Sequence, residues 1–174
     1  MVWVALSIGS NTRAAENFHS CLDMLLMQFR DLVLSSVYES DGDGVPGRRY
    51  LNMAAGFETD LPVPEIVAAL KKIESKHGRT RSPAAGDEVT LDIDLLVYGE
   101  RSCNVEGVQL PHPDILRKSY VLRPLSQIGG KHRHPVLKKK YSELFSELAP
   151  QFEQAGQRLQ PVAFAWHGRE LSRQ

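Results

Sequence analysis

The sharpest chemical pattern in the chain is Thr90-Leu91-Asp92-Ile93-Asp94-Leu95-Leu96-Val97-Tyr98-Gly99. Its Leu, Ile and Val content predicts a strand. Side chains alternate along a strand, so Asp92 and Asp94 share one face while Leu91, Ile93 and Leu95 point the other way, into a core. Residues two apart on a strand lie roughly 6.6 Å apart at Cα. That span lets two carboxylates hold a pair of cations about 3.5 to 4 Å apart. Oxygen-only ligands select a hard cation, and Mg2+ is usually held by one or two carboxylates plus substrate phosphates. Two Mg2+ ions bridged by a nucleoside triphosphate suit this spacing. A solvated strand face paired with Lys or Arg suits it as well, because D-x-D is a short pattern.

Further along, Pro111-His112-Pro113 fixes a histidine between two prolines, which restrains its backbone and suits an imidazole presented to a phosphate or ribose. Arg117 and Lys118 follow it, and Arg79 and Arg81 precede the Asp strand, so local positive charge for a triphosphate is available. The basic runs Lys131-His132-Arg133-His134 and Lys138-Lys139-Lys140 read as a solvated face. G-x-x-x-x-G-K-[ST], G-x-G-x-x-G, G-x-S-x-G and H-E-x-x-H are all absent, which removes the common nucleotide-loop, hydrolase and zinc-protease readings.

The elements that must carry these residues fit one domain over residues 1–174, with 42% hydrophobic and 24% charged residues. Lys and Arg (21) balance Asp and Glu (21), so no net field draws nucleic acid or anionic lipid. Cys21 and Cys103 are too few for a disulfide framework; a buried thiol in a helix and an exposed one in a polar loop are expected. No basic n-region precedes the first apolar run and no stretch approaches the ~20 apolar residues of a membrane span, so a cytoplasmic chain is expected.

Val2 to Ile8 predicts a buried strand ended at Gly9-Ser10-Asn11. Ala14 to Phe29, with Phe18, Cys21, Leu22, Leu25 and Phe29 at helical spacing, predicts an amphipathic helix. Leu32 to Tyr38 and Leu51 to Phe57 read as strands flanking a Gly- and Pro-rich loop, Glu39 to Arg49. A second helix starts at the Leu61-Pro62-Val63-Pro64 segment and ends at Gly78. With the Asp strand the order is βαββαβ. The expected fold is therefore α+β, a ferredoxin-like sandwich with both helices on one face, extended by C-terminal elements that include a helix near Tyr141 to Leu148.

Taken in order, these segments resemble the 6-hydroxymethyl-7,8-dihydropterin pyrophosphokinases of the folate pathway. The resemblance rests on Leu6-Ser7-Ile8-Gly9-Ser10-Asn11, Ser35-Ser36-Val37-Tyr38, Tyr50-Leu51-Asn52, Ile73-Glu74, Gly78-Arg79-Thr80-Arg81, the Asp strand, Leu110-Pro111-His112-Pro113, Tyr120 to Leu125 and His134-Pro135. It implies pyrophosphoryl transfer from ATP to the pterin's hydroxymethyl oxygen, with AMP leaving. Asp92 and Asp94 would bind two Mg2+ ions. Arg79 would join them in catalysis, and His112, Glu74, Arg81, Lys118 and Arg117 would serve the ATP side. Asn52, Tyr120, Ser40 and Tyr50 would bind the reduced pterin, Tyr120 by stacking. A monomer is expected.

Five departures mark this chain. Gly86 and Val89 stand where the family carries a Trp and an Arg just before the metal strand, and Glu39-Ser40-Asp41 stands where it reads Arg-Thr-Pro. Gly107 and Lys118 replace two further arginines. Each lost charge-assisted contact is worth about 1.5–3 kcal/mol. An active enzyme with a thinned triphosphate clamp and a paralogue that binds nucleotide or pterin without turnover share this pattern; metal-dependent ATP turnover separates them.

Overall fold

The computed structural model describes residues 1–42, 47–79 and 88–173. Strand β1 (Val2–Ser10) is an inner strand, between β5 and β4, of a sheet of order β5-β1-β4-β3-β8, where β3 is Tyr38–Asp41, β4 is Arg49–Thr59, β5 is Asp92–Tyr98 and β8 is Leu159–Pro161. Neighbours pair antiparallel throughout. A short strand β2 (Val33–Leu34) also pairs with β4.

Helices α1 (Ala14–Phe29) and α2 (Val63–Lys76) pack on one face, where Phe18, Leu22, Leu25, Ile66 and Ile73 meet Val4, Leu6, Ile8, Met53 and Ile93. The C-terminal helices α3 (Ser119–Ile128) and α4 (Tyr141–Gln154) cover the other face, where Val121, Leu122, Leu125 and Tyr141 meet Trp3, Ala5, Ala54 and Leu96. Apolar layers on both sides explain why β1 reads as a continuous apolar run rather than an alternating one. The ferredoxin-like α+β expectation holds, with the helical C-terminal layer added to it.

Several elements differ from the sequence reading. The strand expected over Leu32 to Tyr38 is broken, because its backbone finds partners away from β4. Ser36 N donates to Gln127 Oε1 (3.1 Å), Val37 N donates to Ser172 Oγ (3.1 Å), and Val37 O accepts from Val162 N (3.0 Å). The loop expected from Glu39 starts later. Glu39, Ser40 and Asp41 are strand residues, with β4 on one side and β8 giving Glu39 and Ser40 a second neighbour, so the would-be edge is paired. The polar loop around Cys103 is instead a hairpin of β6 (Cys103–Val105) and β7 (Val108–Leu110). Its two-residue turn has Glu106 at φ 53° and Gly107 at φ 80°, the primed geometry that suits strand twist. Cys103 is exposed and Cys21 is buried, as expected. The hairpin of β9 (Phe164–Trp166) and β10 (Arg169–Ser172) closes the chain, tied to α1 by Trp166 Nε1 donating to Asp23 Oδ1 at 2.8 Å.

Candidate active site

Register decides what the pocket contains. Across the sheet, Gly9 of β1 is opposite Asn52 of β4 on one side and Asp92 of β5 on the other, while Ser7 is opposite Ala54 and Asp94. Residues paired across antiparallel strands share a face. Asn52, Gly9, Asp92, Ser7 and Asp94 therefore lie together on the α3 side of the sheet. A pocket of about 240 Å³ opens there, and Ser40, Tyr50 and Tyr120 also line it. The structure thus brings together Asp92, Asp94, Asn52, Ser40, Tyr50 and Tyr120.

At one end, the buried Asn52 donates through Nδ2 to Ser40 Oγ at 2.7 Å and, more weakly, to Tyr50 O at 3.4 Å. Gly42 packs against the Tyr50 ring so closely that a Cβ would stand 2.3 Å from its Cε2. Any side chain at residue 42 displaces that ring. At the other end, Arg79 Nη2 stands 3.8 Å from Asp92 Oδ1, an ion pair too long for a hydrogen bond.

His112 heads the turn before α3 and uses Nδ1 to accept the Asp114 N–H at 3.2 Å. That bond assigns the proton to Nε2, which leaves an N–H donor for an anionic oxygen. Burial pulls the His112 pKa below its ordinary value, with Asp114 and Asp92 pushing the other way, so the ring is neutral near pH 7.

The other described site residues named from sequence do not line this pocket. Glu74 is buried on α2 and its carboxylate accepts the Ile93 N–H at 2.8 Å, which puts it at the open edge of β5. Lys118 precedes α3 with its ammonium 5.9 Å from the Tyr120 ring centroid. Arg117 is exposed, and its carbonyl accepts from Gln157 Nε2 at 2.9 Å. Arg81 and Gly86 lie outside the described residues. Of the basic runs, Lys131, Arg133, Lys138 and Lys139 are exposed, with Lys138 and Lys139 paired to Glu100 and Glu147, but His132 stacks on Trp3 and His134 is buried, so the solvated-face expectation fails at the two histidines.

Pocket residues that sequence reasoning did not single out are Ser7, Gly9, Gly42, Asp114 and Val121. Alternation along β1 would have grouped Ser7 with Gly9, but only the register sets them beside the Asp pair. Val89, noted as a departure, also lines the pocket, and Asn11 pins its backbone through Val89 N to Asn11 Oδ1 (2.7 Å) and Asn11 N to Val89 O (2.9 Å).

The fold is a ferredoxin-like sandwich whose pocket sets a carboxylate pair beside aromatic rings. The particular family follows from comparison. Residues 5–130 match the model of the 7,8-dihydro-6-hydroxymethylpterin-pyrophosphokinases, and the chain belongs to that family. A 2-amino-4-hydroxy-6-hydroxymethyldihydropteridine pyrophosphokinase of Haemophilus influenzae is 30% identical over 156 residues, spanning 87% of this chain and 94% of the relative. One from Synechocystis is 33% identical over 147 residues, spanning 77% and 75%. Among solved structures, a Plasmodium falciparum HPPK-DHPS with pteroate superposes at a TM-score of 0.73 and 11% identity, over 98% of this chain and 47% of that one. The chain spans about half the length of that structure, and the likeness shows the fold. No helix among the described residues is long and apolar enough to cross a membrane.

Proposed function

We propose that this chain transfers pyrophosphate from ATP to the hydroxymethyl group of 6-hydroxymethyl-7,8-dihydropterin, a step of folate biosynthesis, and that the pocket between Asn52 and the Asp92/Asp94 pair is where transfer occurs. The activity rests on family membership. The residue roles rest on one observation, the convergence of Asn52, Ser40, Tyr50, Tyr120, Asp92 and Asp94 on a single pocket.

In this reading Asn52 and Ser40 read the pterin's ring edge and the Tyr50 and Tyr120 rings bind its faces. The hydroxymethyl oxygen then points toward the carboxylates. It gives its proton to solvent and forms a bond to the β-phosphorus, the bond from that phosphorus to the α-phosphate bridging oxygen breaks, and AMP departs. His112, through Nε2–H, and Arg79 donate to phosphate oxygens. Lys118, with Arg117, adds positive charge to this side.

Asp92 and Asp94 form an all-oxygen donor set that fits Mg2+, and among the described residues no third carboxylate, His or Cys joins them at metal-binding distance. Two carboxylates plus triphosphate oxygens complete such coordination, and we assign two ions to them. Bound there, Mg2+ neutralises phosphate charge and acidifies the pterin hydroxyl. Reduced cysteines and a single domain fit a monomer in the cytoplasm.

The test is AMP formation from ATP by purified protein with the dihydropterin and Mg2+. AMP and pterin diphosphate are expected, and both should vanish in Asp92→Ala and Asp94→Ala variants that keep the wild-type melting temperature. Pterin and ATP binding without AMP would overturn the catalytic assignment in favour of a binding-only protein.

A further inference from the structure

A second, larger cavity of about 780 Å³ opens between the sheet edge and α4. Its outer wall comes from Phe145, Phe152 and residues 157–161, all beyond the stretch matched by the family model. It exists because β8 returns to pair with β3, Leu159 opposite Ser40.

The wall has two chemical characters. Phe145 and Phe152 provide aromatic surface, with the Arg123 guanidinium 4.9 Å above the Phe145 ring centroid. Arg49 is spent on Glu39 at 2.7 Å, but Arg123 and Arg158 make no ion pair among the described residues. Two guanidiniums beside an aromatic floor match a flat ring bearing a carboxylate, which they take through forked, charge-assisted bonds. Asp41 and Glu153 also stand on the wall. Their negative charge opposes a triphosphate and selects a single anionic group.

We propose that this groove is a second small-molecule site, for a planar aromatic monocarboxylate, and that it communicates with the active site through Ser40. Ser40 lines both cavities, and its hydroxyl accepts the Asn52 amide. A ligand that moves β3 moves that acceptor. The communication rests on the pterin reading given above; the site itself does not.

The test uses 2-naphthoate and its neutral counterpart 2-naphthamide, titrated into the full chain and followed by amide NMR shifts. Saturable shifts with naphthoate are expected at Arg123, Gln157, Arg158, Leu159 and Gln160. Arg158 is exposed, so Arg158→Ala should keep the fold and weaken naphthoate at least about fivefold. Equal affinity for the amide, shifts centred on Asp94 and Tyr120, or no saturation would each overturn the site. Pterin affinity is then measured alone and with naphthoate bound. A change of either sign supports the communication, and unchanged affinity overturns it. Failure of pterin to bind at all would sink the active-site reading while leaving the groove's own result standing.

Discussion

The buried carboxylate of Glu74 accepts the backbone N–H of Ile93 at 2.8 Å, reaching from α2 to the open edge of β5. Ile93 is the residue between Asp92 and Asp94, so this one bond from α2 sets the height of the strand that presents both carboxylates. A positioning role for Glu74 is the expectation, distinct from simple packing.

Glu74→Gln keeps an acceptor of the same length and should retain most activity. Glu74→Leu leaves the Ile93 N–H buried and unsatisfied, at a cost of about 1–3 kcal/mol. The expected signature is a lower melting temperature together with a fall in kcat and a raised Mg2+ requirement, rescued in the Gln variant. A Leu variant with unchanged Mg2+ dependence would reduce Glu74 to a packing residue.

The departures from the family pattern separate by backbone geometry. Val89 lines the pocket while its backbone is held by Asn11, so a longer side chain there need not move the strand entry. Val89→Arg should lower the KM for ATP by about one order of magnitude, the worth of one charge-assisted contact. Gly107 sits at φ 80° in the β6–β7 turn, a conformation that strains any side chain. Gly107→Arg should therefore destabilise the hairpin by roughly 1 kcal/mol, read by thermal melting, without improving KM. An ATP KM that ignores Val89→Arg would remove Val89 from the phosphate side.

What the sequence disclosed follows from how local each determinant is. The bounds of α1 emerge from the spacing of Phe18, Cys21, Leu22, Leu25 and Phe29 alone, and the facing of Asp92 and Asp94 from strand alternation. The break between β2 and β3 was illegible because the groups that capture the Val37 backbone, Ser172 and Val162, lie more than a hundred residues further on. The short strands β8 to β10 carry too few residues for a period, so their pairing had no signal. Gly9 and Ser7 joined the site only through register, which a single strand does not encode.

Acid should destabilise the protein from near neutrality. Burial, the leading cause at each, lowers the pKa of His112, His132 and His134 below the ordinary value of about 6.5. The unfolded chain then binds more protons than the folded one as pH drops. Their contribution is present above about 6.5 and is lost as pH falls below it. His134 is buried, and its Nδ1 accepts the Val136 and Leu137 N–H groups, at 3.3 and 3.2 Å. Melting temperatures should fall between about pH 7.5 and about pH 5.5, and less steeply in His134→Gln. Parallel profiles would show that His134 does not contribute.

The last prediction concerns how the pocket divides its two substrates. Asn52 is fixed on Ser40 at 2.7 Å, and across the sheet Gly9, without a side chain, separates it from Asp92. In the proposed reading, that gap sets the ring-reading end apart from the phosphate end. Asn52→Ala removes a buried donor and acceptor that the pterin edge needs, so its affinity should drop more than about tenfold. ATP affinity should change less than about twofold, since the carboxylates and Arg79 are untouched. Gly9→Val fills the gap, because a Cβ there already stands 3.6 Å from Asn52 Oδ1, and should weaken pterin in the same selective way. Calorimetric titration of each ligand measures both effects, and equal losses for pterin and ATP would remove Asn52 from the pterin end.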